Sequence, residues 1–266
     1  MFAAMRRILT YATLAALLRI TAPAQQLEEG LESVTFLKGW RQDDGSHIGA
    51  VEIRLQPKWK TYWRVAGGGG IPPQFDWTGS SNIASVDFIW PTPDIFNDYG
   101  YQSVGYEDTL VLPIVMHPET EGAEMSVAVN MTFGVCEEVC IPVEHALTAE
   151  LPQRLGFDQD TINTALSTRA ITGADVPMTA ECDFASTPDG MAIGVEIQAA
   201  QDFPQPALVF MEYEGTGWMA QRETHHACTS LHSSALYYTD DIDSFNGKDM
   251  LLTVLSQGRA YEIAGC

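Results

Sequence analysis

Two cysteines separated by three residues, Cys136 and Cys140, are the residues of this sequence whose types and spacing could carry out chemistry. They lie in NMTFGVCEEVCIPVEHALTAEL, in which alternating apolar and polar residues predict a strand on each side of a short loop, residues 137–139. The facing ends of a hairpin bring two Cα atoms within the ~4.4 to 6.8 Å that a disulfide requires. We therefore predict that this pair forms a thiol-disulfide exchange site.

The ring that such a bond would close is very small. In the chain-entropy account a small ring restrains the unfolded state least, so stabilisation is a weak reason for the bond. A strained bond near the surface is reduced more easily, which suits a bond that opens and closes. A plain structural hairpin disulfide remains the alternative on spacing alone. Zinc is disfavoured because a structural site needs four ligands and no second Cys/His pair has suitable spacing.

Glu137 and Glu138 are the charged neighbours of the two sulfurs. They should disfavour the thiolate and raise the thiol pKa, whereas strongly oxidising sites use positive charge or a helix N-terminus to lower it. We therefore expect exchange only when a docked partner supplies or accepts the proton. A measured thiol pKa well below about 8 would contradict this hypothesis.

The elements that must hold these residues are predominantly β-strands. Apolar residues alternate with polar ones over 51–55 and again over 125–133, the pattern of a sheet with one buried face. Three dipeptides flanked by apolar residues predict hairpins: Asp44-Gly45, Asp189-Gly190 and Asn246-Gly247. One short helix is predicted from Asp158, as its N-cap, to Arg169.

Two segments on either side of this helix are similar. Asp43–Trp59 and Pro188–Phe203 each contain an Asp-Gly turn followed by a Val-Glu-Ile strand, although so short a match can arise by chance. We predict an all-β protein of two β-sandwich domains, residues 25–155 and 176–266, joined by a linker with a short helix, residues 156–175.

The amino terminus has the features of a secretory signal peptide. Arg6 and Arg7 precede an apolar run, Ile8–Leu18, and Ala22-Pro23-Ala24 offers a cleavage site. We predict a signal peptide over residues 1–24, with a signal anchor as the alternative, and no membrane insertion after cleavage. The net charge of −21 disfavours nucleic acid and anionic lipid as partners.

Three further cysteines lie in the second half of the chain. A bond between Cys182 and Cys266 would close a loop of more than 80 residues, which could contribute on the order of 4 kcal/mol, so we predict a structural disulfide. Cys228 is then left over, and with His225 and His226 it could bind copper or zinc. Because adjacent histidines on a strand point to opposite faces, we interpret Cys228 as a bystander thiol and predict no metal and no cofactor.

Several short motifs in order resemble a known family over about residues 30–152: PKWKTYWRVAGGGGIPP, FDW, WPTPDIFNDYGYQSVGYEDTLVLPI and GVCEEVCIP. Together they resemble the N-terminal periplasmic domain of the thiol:disulfide interchange protein DsbD, and more closely its ScsB-type branch. In that family the domain is an immunoglobulin-like sandwich. Its cysteine pair takes electrons from a membrane-embedded partner domain and passes them to soluble thioredoxin-like proteins.

The resemblance implies roles for particular residues. Cys136 and Cys140 would be the redox pair, and Cys140 the one that contacts the partner. A mobile cap loop covers the family's cysteines, and the segment Asp94–Tyr101 occupies the matching place. Phe96 or Tyr99 would be the shield, with Asp98 and Tyr101 in the same loop, and Tyr62 would lie near the sulfurs. Ordinary packing is the alternative for Tyr62, Trp63 and Tyr99.

The sequence departs from the family in two respects. The loop between the cysteines is shorter than in DsbD, and the membrane domain and the thioredoxin-like domain are absent. We therefore predict periplasmic thiol-disulfide exchange to or from envelope thioredoxin-like proteins, with the membrane-embedded electron donor supplied in trans. The alternatives are an envelope binding module with inert disulfides and a metal-handling protein that uses His225, His226 and methionines.

Overall fold

The computed structural model describes residues 28–67, 69–98, 100–153, 156–188, 190–200, 203–204, 206–213, 218–220, 224–227, 230–237 and 246–266, with only the backbone described at 98, 101, 218–220 and 224–227. The predicted signal peptide, Tyr99 and Cys228 lie outside these residues. Within them, no helix has the length and apolar character needed to cross a bilayer.

The first half of the chain forms two antiparallel sheets. Its strands are β1 (Leu31–Arg41), β2 (His47–Leu55), β3 (Lys60–Gly67), β4 (Gln74–Asp76), β5 (Ser85–Phe88), β6 (Asp94–Asp98), β7 (Tyr101–Glu107), β8 (Thr109–His117), β9 (Ser126–Cys136) and β10 (Cys140–Glu150). One sheet has the order β1-β2-β8-β5, and the other has the order β10-β9-β3-β7-β6 with β4 paired to β9. The predicted Asp44-Gly45 turn joins β1 to β2.

The core of this half lies between the two sheets. Alternate residues of β9 are buried, as the sequence pattern predicts, because one face of that strand meets the opposite sheet. Strand β2 is buried on both faces. Its second face is covered by the helix α1 (Gln159–Ser167), whose Ile162 packs against Ile48 and Ala50. The helix therefore packs on the first half of the chain.

The start of α1 differs from the prediction in its capping. Asp158 is the N-cap residue, but its backbone is left-handed with φ of 53° and its side chain makes no cap hydrogen bond. Its carboxylate instead accepts a hydrogen bond of 3.3 Å from the backbone N–H of Lys38 in β1. Asp158 therefore joins the helix to the first sheet.

The second half forms two more sheets. Its strands are β11 (Ile171–Thr172), β12 (Met178–Thr187), β13 (Gly190–Ala199), β14 (Ala207–Tyr213), β15 (Trp218–Ala220), β16 (Thr224–Ala227), β17 (Ser230–Tyr237), β18 (Met250–Ser256) and β19 (Arg259–Ala264). The sheet orders are β11-β19-β18-β14-β15 and β12-β13-β17-β16, and only β11 pairs in parallel among the described strands. The chain is therefore all-β with an immunoglobulin-like fold, as predicted.

The prediction of a hairpin at Asn246-Gly247 was wrong. The side-chain oxygen of Asn246 accepts a hydrogen bond of 3.1 Å from the N–H of Lys248, and residues Gly247–Asp249 form a short 3₁₀ helix that leads into β18. Asn can satisfy backbone N–H groups locally in this way, so the same dipeptide suits a helical turn as well as a hairpin.

The two halves are similar in plan and in contact with each other. The two similar sequence segments cover β2 and β13, each the second strand of a four-stranded sheet. Phe210, Leu255 and Ala260 belong to the same buried cluster as the core of the first half, and Trp63 packs edge-to-face on Phe210 at 5.6 Å. The boundary between two domains stays a prediction.

Candidate functional site

The two cysteines at the β9–β10 hairpin form a disulfide. Cys136 ends β9 and Cys140 begins β10, so the two residues are directly opposite in the register and their Cα atoms are 4.2 Å apart. The three residues between them are exposed, and the Val139 side chain has 73% of its surface accessible. The hairpin therefore presents the disulfide at an exposed tip.

The two cysteines are not equally exposed. Cys136 is only 2% exposed, whereas Cys140 is half-buried. Cys136 packs in a small cluster with Tyr62 and Ala66 of β3, and Cys140 lies at the edge of that cluster. Of the two cysteines, Cys140 is therefore the one that solvent reaches more readily.

Tyr62 is the polar neighbour of Cys140. Strand β3 runs beside β9, and its Lys60 pairs with Cys136 in the register. Two residues further along β3, Tyr62 is buried and its hydroxyl oxygen lies 3.2 Å from the Sγ of Cys140. Because a disulfide sulfur carries no hydrogen, the hydroxyl is the donor in this contact.

A glycine-containing segment, residues 69–71, also lies beside Cys140. The carbonyl oxygen of Gly69 is 3.5 Å from the Sγ of Cys140, and the carbonyl of Ile71 accepts a hydrogen bond of 3.2 Å from the N–H of Gly134. A Cβ placed on Gly70 would lie 2.5 Å from ring carbons of Tyr62, so only glycine fits there. Sequence reasoning used this glycine run as a family motif but missed its place at the site.

The predicted cap loop is a β-hairpin. Asp94–Asp98 forms the edge strand β6, and Tyr101 begins its partner β7. Asp98 pairs with Tyr101 across the turn, and Tyr99 lies outside the described residues. The ring of Phe96 is half-buried, with the Nζ of Lys60 4.5 Å from its centroid.

Charges of both signs surround the pair. Glu137 and Glu138 are exposed at the hairpin tip, as the sequence suggests. Lys60 is the directly paired neighbour of Cys136 in β3, and Glu107 is its partner on the other side. Sequence reasoning considered only the two acidic residues, because Lys60 is distant along the chain and is brought close by strand pairing.

The sheet that carries Tyr62 is tied to the second half of the chain by Arg64. Its guanidinium contacts carboxylate oxygens of Glu212 and Glu262 at 2.7 Å each, and the hydroxyl of Thr253 at 3.1 Å. Burial by itself lowers the pKa of Arg64, but hydrogen bonds and charge from the two carboxylates outweigh it and leave the pKa raised. Strand β3 is thus tied to the second half of the chain by a partly buried ion-pair network.

The other predicted site residues lie away from this hairpin. Cys182 and Cys266 form a second disulfide with a Cα–Cα distance of 5.4 Å. Cys182 lies within β12, and Cys266 follows β19. His225 and His226 are consecutive in β16, with their side chains outside the described part, as is Cys228. In the described residues, no three His, Cys, Asp or Glu side chains are grouped as a metal site.

Comparison with known proteins gives a family match and a similar solved structure. Residues 33–152 match the model of the family described as "Thiol:disulfide interchange protein DsbD, N-terminal". The fold is similar to that of the N-terminal periplasmic domain of ScsB from Proteus mirabilis, with a TM-score of 0.62 and 20% identity over 86% of this chain and 92% of the other. A search of curated protein sequences finds no match.

Proposed function

We propose that this protein exchanges electrons with thioredoxin-like envelope proteins through the Cys136–Cys140 pair, because residues 33–152 match the family model of the DsbD N-terminal domain. The observation that carries the proposal is the arrangement at the hairpin tip: a disulfide with one accessible sulfur and a hydroxyl donor aimed at that sulfur. The proposed site of action is the periplasm, supported by the predicted signal peptide and by the periplasmic relative.

The reduction of the pair would proceed in two displacements. A thiolate of the reduced donor attacks the Sγ of Cys140, the disulfide breaks, and Cys136 leaves as a thiolate that takes up a proton. The donor's second thiolate then attacks the donor sulfur of this mixed disulfide and releases Cys140. Two electrons and two protons are transferred, and the donor becomes a disulfide.

The reduced pair would then pass both electrons on. The Cys140 thiolate attacks a disulfide of the recipient, which releases one recipient thiol and forms a new mixed disulfide. Cys136 attacks the Cys140 sulfur of that bond, which frees the second recipient thiol and restores the hairpin disulfide. In both directions Cys140 is the sulfur that contacts the partner, a role supported by its greater exposure.

Tyr62 and the β6–β7 hairpin have supporting roles in this proposal. The Tyr62 hydroxyl would stabilise negative charge on Cys140 when it leaves or attacks, since hydrogen bonds to ionised acceptors are roughly twice as strong as neutral ones. Phe96, with its neighbours Asp98, Tyr99 and Tyr101, would shield the pair until a partner docks. The donor would be a membrane-embedded protein supplied in trans.

Redox titration against glutathione tests the proposal, with the fraction of free thiol measured by alkylation and mass. The wild type should show a reversible two-electron couple in the range of envelope oxidoreductases, roughly −300 to −120 mV. A Cys136→Ala/Cys140→Ala variant should lose this couple, and a Cys182→Ala/Cys266→Ala variant should keep it. A hairpin disulfide that stays closed across that range would instead assign the protein as a binding module with inert disulfides.

A further inference from the structure

Lys60 lies between the disulfide and the hairpin that contains Phe96. The pairing register fixes which side chains share a face, because directly paired residues and residues two apart on one strand point the same way. Cys136 pairs with Lys60, and Lys60 pairs with Glu107. Ser103, four residues before Glu107, pairs with Phe96. Phe96 and Lys60 therefore project from the face of the sheet that carries Cys136.

The contact between Lys60 and Phe96 crosses this face. The Nζ of Lys60 is 4.5 Å from the centroid of the Phe96 ring, within the distance at which a cation is attracted to an aromatic face. Gly105, which pairs with both Tyr62 and Asp94, contributes no side chain to the face. The lysine side chain can therefore extend from the strand beside Cys136 toward the edge strand β6.

We propose that Lys60 is a positioning residue that holds the aromatic ring of Phe96 on the face of the sheet that carries Cys136 and so limits access to the pair. The inference rests on the proposed exchange function and adds the group that keeps the shield closed. Strand β6 is the edge of its sheet and pairs only with β7 in the described residues. The cation–π contact thus ties the edge hairpin to the central strand β3.

A contact that only holds Phe96 in place changes the rates at which the disulfide opens and closes, and it leaves the equilibrium between the oxidised and reduced pair unchanged. Loosening Phe96 lets a small thiol reach the sulfurs faster in both directions, so the potential of the pair stays the same. A charge effect of Lys60 on the Cys136 thiolate would instead shift the potential, because it would stabilise only the reduced form. The two roles are therefore separable by measuring rate and potential on the same variants.

The test compares four proteins with the wild type: Lys60→Met, Lys60→Arg, Phe96→Ala and the double variant Lys60→Met/Phe96→Ala. The measured quantities are the second-order rate constant for opening by dithiothreitol and the potential against glutathione. Lys60→Met should open about three- to tenfold faster, in line with the strength of a cation–π contact, and Lys60→Arg should open like the wild type. Phe96→Ala should open at least as fast as Lys60→Met, and the double variant no faster than Phe96→Ala.

Several outcomes would overturn the inference. Lys60 does not hold Phe96 if Lys60→Met opens at the rate of the wild type. The same conclusion follows if the two substitutions have multiplicative effects on the rate in the double variant, or if Lys60→Met changes the potential without changing the rate. Lys60→Gln carries the same expectations if Lys60→Met fails to fold by circular dichroism. Only this inference fails if dithiothreitol opens the bond in the wild type, opens it faster in Phe96→Ala, and opens it no faster in Lys60→Met. If neither the wild type nor any variant shows a reversible two-electron couple for the Cys136–Cys140 pair, the proposed function fails and this inference fails with it.

Discussion

The hydroxyl of Tyr62 lies 3.2 Å from the Sγ of Cys140, and this sulfur is the more exposed of the pair. The donor is buried in β3, whereas the sulfur belongs to the hairpin tip, so the contact joins the centre of the sheet to the tip of the hairpin. A buried donor of fixed position stabilises a developing thiolate with little reorganisation.

Tyr62→Phe removes the hydroxyl and keeps the ring. We expect the reduced Cys140 thiol to have a higher pKa and to react with iodoacetamide more slowly at pH 7, by about a factor of ten, because a hydrogen bond to a charged group contributes about 1.5 to 3 kcal/mol. The rate is measured in a Cys136→Ser background so that only Cys140 of the hairpin reacts. Tyr106→Phe is the matched control, since its hydroxyl donates to the carbonyl of Pro91 at 2.8 Å. An unchanged rate in Tyr62→Phe would show that the Tyr62 hydroxyl does not stabilise the Cys140 thiolate.

The unequal burial of the two sulfurs predicts unequal trapping. Cys136→Ser leaves the half-buried Cys140, and Cys140→Ser leaves Cys136, which is 2% exposed. We expect the first variant to form a mixed disulfide with an aromatic disulfide reagent at least about tenfold faster, because exchange requires access to the thiolate. Release of the coloured thiol measures the rate. Equal rates would mean that Cys136 becomes exposed when the hairpin is reduced.

Gly70→Ala should disturb Tyr62 without touching either cysteine. The added methyl carbon would lie 2.5 Å from Tyr62 ring carbons and 2.7 Å from the Cβ of Ala66, so the ring or the segment must move. We expect Cys140 to react more slowly, as in Tyr62→Phe, and the protein to lose about 1 to 3 kcal/mol of stability from overpacking. Gly173→Ala is the control, because nothing lies within 4 Å of its added Cβ. A reactivity unlike that of Tyr62→Phe would show that Gly70 does not act through the tyrosine.

The all-β fold and the hairpin around the cysteines could be predicted because both are local patterns. Alternation in β9 and the three-residue spacing place Cys136 opposite Cys140 without reference to the rest of the chain. The position of Tyr62 followed only from the family resemblance, since the hydroxyl and the Cys140 sulfur are 78 residues apart in sequence.

The remaining parts of the site depend on strand order, which local patterns do not encode. Lys60 is beside Cys136 because β3 inserts between β7 and β9, and Arg64 reaches Glu212 because the second half packs against β3. Asn246 shows the limit of local rules, since one dipeptide is compatible with two turn structures. Asp94–Tyr101 was expected to be a loop because the resemblance to the family rests on residue types, which do not show whether those residues pair as strands.

Arg64 should be among the costliest residues to replace. Arg64→Met leaves the carboxylates of Glu212 and Glu262 partly buried and unpaired, so we expect a loss of about 3 to 5 kcal/mol in the free energy of unfolding. Urea denaturation measures it. Adding Glu212→Gln and Glu262→Gln to Arg64→Met should recover part of the loss, because the uncompensated charges are then gone. A loss below about 1 kcal/mol would mean that the ion pairs of Arg64 stabilise the fold no more than exposed surface ion pairs do.

His47 should make the protein less stable below neutral pH. The side chain is fully buried in β2, its Nε2 lies 2.6 Å from the carbonyl oxygen of Lys38, and its Nδ1 has no hydrogen-bond partner in the described part of the chain. Burial lowers the pKa of His47 below its ordinary value of 6.5, which outweighs the hydrogen bond to Lys38. Protonation is therefore easier in the unfolded chain than in the folded one.

The sign of the effect follows from proton binding. As the pH falls through about 6.5, the unfolded state takes up a proton that the folded state resists, so the free energy of unfolding decreases until the folded pKa is passed. His47→Gln should make this decrease shallower between pH 7 and pH 5 in urea denaturation. His145→Gln leaves the contribution of His47 in place but removes that of His145, whose pKa burial also lowers, so part of the decrease should remain in each single variant. An NMR titration that finds the pKa of His47 at or above 6.5 in the folded protein would contradict the prediction.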